Sequence, residues 1–265
     1  MRYRLAEDVR PQALLLAVAA AVSIVLWLLS WMVPLAAVVV VPLQLFATFV
    51  HEGGHVLASL LVGGTVHSLT VSPDSSGAVL SSHDGGWISG LVISSAGYVG
   101  TTLFSVVLLL WLRFRRSSRG ALSASALFVA VLTVLFGLLA PLRNAFAGPA
   151  TFGGMIFTVL AGAALAAGLF ALARYASAAW VDFALAFLAL QCLLNAVFSL
   201  RDLFALSALG GAHSDAANMA RATGIPAIVW ATLWIAVSVV IIALGARVYA
   251  VAGTRARAVP SPPRA

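Results

Sequence analysis

Residues 51–55 read His-Glu-Gly-Gly-His. Two imidazoles at i and i+4 share one face of a helix and stand close enough to hold a single metal ion. The carboxylate beside the first can serve as the base for water activated by that metal. The flanking residues, Phe49-Val50 before the motif and Val56-Leu57-Ala58 after it, are those of a membrane helix. A glutamate at membrane depth costs about 2.5–3.5 kcal/mol on insertion scales, so a chain that keeps one there has a use for it.

A hydrolytic site of this kind needs three protein ligands and one open position. Candidates for the third are few, because the chain has only 8 acidic residues and 5 histidines. Asp202 is preferred. Gln191, Asn195 and Asp202 recur at helical offsets and form a polar stripe on an otherwise apolar helix. Four crossings separate that helix from the one bearing the histidines, so the two run in the same direction and bring their polar ends to one membrane face. Asp215, in Ala212-His213-Ser214-Asp215, is the second candidate and also reads as a helix N-cap. His213 is weaker again, and His67 and His83 read as polar loop residues. The single Cys192 excludes an intramolecular disulfide and a cysteine zinc cluster.

The elements that must position these groups follow from composition. The chain is 62% apolar and 9% charged, whereas a soluble domain is about half apolar and a quarter charged. Seven apolar segments, approximately 12–32, 35–62, 88–112, 121–141, 152–173, 177–200 and 225–250, approach or exceed bilayer-spanning length. The expected fold is an all-α polytopic membrane protein with about six to seven transmembrane helices. The first run is longer than a signal-peptide core and reads as a retained span. Residues 1–250 read as one membrane domain, and the Arg- and Pro-rich 251–265 as a disordered tail. Arginines scattered through loops and tails, with no soluble domain to present them, exclude nucleic acid as a partner. Those of the 113–119 loop suit topology or lipid headgroups.

Residues 65–82 break the pattern. Thr65 to Ser72 alternates and is rich in β-branched residues, Pro73-Asp74-Ser75-Ser76-Gly77 is a turn cluster, and Ala78 to Ser82 returns. This predicts a β-hairpin directly after the metal-motif helix. The small residues Gly90, Ser94, Ser95, Ala96, Gly97 and Gly100 of the third segment permit close helix packing.

Taken together, His51 to His55, Gly63 to Ser68 running into Val71 to Asp74, Ser95-Ala96-Gly97-Tyr98, and Asn195 to Asp202 resemble the site-2 protease family of intramembrane zinc metalloproteases. The resemblance is to a divergent bacterial peptidase-like branch and covers roughly 45–250. It implies Zn2+ held by His51, His55 and Asp202, with Glu52 as catalytic base. It also implies a hairpin that meets substrate as an added strand. Asn195 would help orient the scissile carbonyl, and Asp215 is a further auxiliary candidate. The family's Asn-x-x-Pro…Leu-Asp-Gly pattern lacks its Pro here, and Arg201 and Leu203 flank the aspartate. The expected activity is that of a zinc metalloendopeptidase acting on membrane proteins in or near the bilayer, located in the bacterial plasma membrane. The alternatives are a non-catalytic scaffold or regulator with the same fold, and a transporter. Orientation stays open. With seven crossings the arginine asymmetry puts the active-site face outside, and the resemblance puts it toward the cytoplasm.

Overall fold

The structure, a computed structural model, describes residues 10–114, 116–144, 151–209 and 214–251. Each of the seven apolar segments is helical: α1 (Arg10–Met32), α2 (Pro34–Leu61), α3 (Gly86–Arg113), α4 (Ser118–Leu132), α6 (Phe152–Tyr175), α7 (Ala178–Ala208) and α9 (Ala227–Val251). Two short helices complete the set, α5 (Ala140–Arg143) and α8 (Asp215–Thr223). Among the described residues, 5 helices are long and apolar enough to cross a membrane. Within α1 a shorter apolar stretch covers Ala13–Leu26. α2 is as long as α3 and carries the polar motif in its C-terminal half. The tail beyond Val251, expected to be disordered, lies outside the described residues, as does His213.

Local chemistry accounts for the breaks. Pro34 opens α2, where a missing N–H costs nothing. Pro42 lies inside the same helix. α4 runs into a π-helical turn, Thr133–Leu139, and then into α5. Pro141 follows directly and has no N–H for the carbonyl of Gly137, a disruption that a π turn accommodates. Arg119 reaches across to the end of α6, where its guanidinium donates to the carbonyls of Ala173 and Ala176.

The hairpin forms where the alternation predicts it. β1 (Thr65–Val71) pairs antiparallel with β2 (Gly77–Ser82). The register slips between Val66 and Ser68, leaving His67 as the extra residue of a bulge. β1 is mostly buried and β2 is mostly not. The Thr158 hydroxyl of α6 accepts from the Val71 N–H at 2.9 Å, and Asn144 donates to the His67 carbonyl at 3.1 Å. These contacts cover the outer side of β1. Thr48 and Ser59 of α2 fasten the turn and β2 through Ser75 O at 2.7 Å and Ser81 Oγ at 2.9 Å.

A main core lies between α2, α3, α4, α7 and the hairpin, with Phe46, Phe49, Leu69, Leu122 and Leu185 almost fully buried. A smaller cluster joins Leu200 and Leu203 of α7, Met219 of α8 and Trp230 and Trp234 of α9. That second cluster holds the short α8 in place.

Candidate metal centre

His51 and His55 lie in the C-terminal half of α2, and their Nε2 atoms are 3.2 Å apart. The His55 Nδ1 atom is 2.7 Å from the carbonyl of Ile93 on α3. If Nδ1 carries the proton and donates there, Nε2 is left with its lone pair free for a metal, the usual outer-shell arrangement for a ligating histidine. The ring of His51 stands edge-on to Tyr98, with centroids 4.6 Å apart. Tyr98 in turn stacks on Trp234 at 5.6 Å, and the indole N–H of Trp234 donates to Ser95 Oγ at 2.8 Å. α3 and α9 thus fix the ring that faces His51.

The third group is Asp215. Its Oδ2 lies 3.3 Å from His55 Nε2 and 3.7 Å from His51 Nε2. One ligand atom from each of His51, His55 and Asp215 falls within 4.8 Å of the others. Ser214 is the N-cap of α8, with its Oγ accepting from Ala217 N at 3.1 Å. Asp215 is therefore released from capping and turns toward the imidazoles. Burial alone would raise its carboxyl, but the two histidines overcome that and hold it below the usual carboxylate range.

The structure does not bring Asp202, the preferred third ligand, to the histidines in the same way. Its Oδ1 takes two bonds from Arg201, at 3.0 and 2.7 Å, and both side chains are about two-thirds exposed. Asp202 still lines the cavity over the site. α7 continues past it to Ala208, and Asp215 is the first residue of α8. Asn195 lines a separate, smaller cavity.

The separations suit a metal. Ligands at ~2.0–2.1 Å from a tetrahedral zinc lie ~3.3 Å from one another. The observed 3.2, 3.3 and 3.7 Å bracket that value. Two imidazoles and a carboxylate are also an established zinc donor type.

Glu52 is buried beside this cluster at 5% exposure. A cavity of about 1180 Å³ opens over it, lined by Gly77 to Ser81 of β2, by Tyr98 and by α7 and α8 residues. Three close approaches make the arrangement possible. A Cβ on Gly77 would meet the Glu52 carboxylate at 2.6 Å. One on Gly54 would strike the Ala96 carbonyl, and one on Gly97 would overlap both imidazoles. The small-residue stripe of α3 therefore places backbone against the metal motif, a role that a packing explanation alone did not assign. In the sequence, only its place beside Gly97 marks Tyr98 as a neighbour of the site.

The model of a family described as Peptidase M50B-like matches residues 15–245 of the chain. No curated protein and no solved structure matches it.

Proposed function

The chain belongs to the Peptidase M50B-like family, which is the site-2 protease family, and from that premise we propose that it is a zinc-dependent endopeptidase cutting membrane-protein substrates within or beside the bilayer. The observation that carries this reading is the convergence of His51, His55 and Asp215 at tetrahedral separations, with Glu52 buried beside them. In this reading Asp215, rather than Asp202, completes the ligand set. The bilayer in question is the bacterial plasma membrane.

A zinc ion held there would supply Lewis-acid polarisation of a carbonyl and would acidify water to a pKa of ~7. Glu52 takes the proton of the attacking water and passes it to the leaving amine. Ile93 O holds the tautomer of His55, and Tyr98 limits the swing of His51. The β2 strand presents Gly77 to Ser81 to the cavity, while the outer side of β1 is occupied by Thr158 and Asn144. An unwound substrate segment can pair with that open edge, which satisfies backbone groups that lipid would leave bare.

The test is metal analysis of the purified protein together with cleavage of a co-expressed single-span substrate. One bound zinc per chain is expected, with cleavage lost in Glu52→Gln. Bound zinc with equal cleavage by wild type and Glu52→Gln would overturn the catalytic assignment. Zinc without any cleavage would point to the scaffold.

A further inference from the structure

A second cavity, of about 230 Å³, lies between α1, α2 and α7. Its lining is rich in polar groups: Ser23, Gln191, Asn195 and Ser199, with Gln44 and the Arg201–Asp202 pair on its exposed side. Ser23 already donates to Ala19 O at 2.8 Å. The Gln44 carbonyl lies 3.5 Å from Ser75 Oγ, at the limit of a hydrogen bond. No hydrogen bond from a described residue reaches the carboxamide of Gln191 or of Asn195. These two groups stand one helical turn apart on α7, well inside the span Ala178–Ala208. Both residues are half-buried, so a guest that hydrogen-bonds them is favoured over one that covers them with apolar surface.

Ser199 and Asp202 line this chamber and also the cavity over the candidate metal centre. The two cavities are neighbours, walled from one another in part by these two side chains. The smaller one is several times the ~30 Å³ share of a water molecule, and it is too small for a helix. We propose that it is a subsite for one uncharged, hydrogen-bonding side chain of the substrate's membrane segment: asparagine, glutamine, serine or threonine. The proposal rests on the peptidase reading. The guest must both donate and accept, because a carboxamide lining offers both. An aliphatic guest would leave Gln191 and Asn195 bare. A charged guest finds no free counter-ion, because Asp202 is bonded to Arg201 at 2.7 Å. A polar residue within a transmembrane segment also marks where its helix is least tightly held by lipid, which suits a substrate that must unwind.

The experiment measures binding, and so does not depend on turnover. Single-span peptides carrying Leu, Asn, Asp or Lys at successive positions are titrated onto the full-length Glu52→Gln protein in lipid nanodiscs. At one position Asn is expected to bind about three- to tenfold tighter than Leu, with Asp and Lys no better than Leu. The variant Gln191→Met/Asn195→Leu should erase the Asn preference and leave Leu-peptide affinity within about twofold. If that double variant fails to fold, Gln191→Met and Asn195→Leu singly should each reduce the preference. Equal binding of Asn and Leu peptides at every position, a preference that survives these variants, or no binding of any peptide would overturn the subsite. So would an equal gain by the Leu peptide in the double variant, which would mark the chamber as holding water only. The same peptides are then offered to wild-type protein. A binding preference without cleavage would leave the subsite standing and sink the peptidase reading instead.

Discussion

Glu52 is held by its neighbours from two sides. Gly77 of the hairpin covers its carboxylate, and the two histidines of its own helix stand alongside. Replacing it with Gln keeps the shape and removes the base. Cleavage should fall about 10²- to 10⁴-fold, while metal content, read by elemental analysis, stays at the wild-type level. The two aspartates separate just as cleanly. Asp215→Asn should lower metal affinity by about 10- to 100-fold or more, by analogy with the loss caused by removing even an outer-shell partner. Asp202→Asn should leave metal content unchanged, because that carboxylate is engaged with Arg201. A reversed result would restore Asp202 as the ligand. The histidines and glutamate were legible in the sequence because their spacing is local and follows the helical period. The choice of partner carboxylate, between Asp202 and Asp215, was not. Asp202 ends a polar stripe that is visible in one dimension, whereas Asp215 opens a nine-residue polar helix that no apolar window detects.

At the scale of elements, the helices followed from apolar runs and the hairpin from the alternation after the second of them, although α7 runs on to Ala208, beyond the expected end at 200. The bulge at His67 had no local signature, and the π turn before Pro141 is marked only by the proline itself. α2 and α3 approach closely because glycine stands at both contact points. Gly97→Ala should therefore force the imidazoles or α3 aside. We expect zinc content to drop to less than half, whereas Gly168→Ala, where nothing lies within 4 Å, should leave it unaltered. The hairpin depends on a different anchor. Thr158→Val removes the acceptor for the Val71 N–H. In a membrane setting this should cost about 0.6–2 kcal/mol, read as a lower melting temperature and faster proteolysis at residues 72–77. An unchanged melting temperature and digestion pattern would show that the hairpin is held by packing alone.

At the scale of the molecule, α2, α3, α8 and α9 meet around three ligand atoms, and the smaller core of Leu203, Met219 and Trp234 keeps α8 beside them. A metal bound only by the folded chain stabilises it by mass action. Chelation should lower the melting temperature, with a stability loss of about 2.7 kcal/mol when free zinc had been a hundredfold above its dissociation constant. The His51→Ala protein should melt at the same temperature with and without chelator. Equal melting of wild type in both conditions would mean that the helices do not depend on the ion.

The position of Asp215 also sets a schedule. The histidines of α2 leave the ribosome early, and the carboxylate that faces them follows 160 residues after His55. At about 5–20 residues per second, that interval is roughly 8–30 s. Throughout it the nascent chain carries two histidines and a glutamate without the carboxylate that faces them in the fold. On the peptidase reading proposed above, a chain assembled in this order would stay inert beside the unfolded segments inserted with it, and would become competent only when most of its own spans have been made.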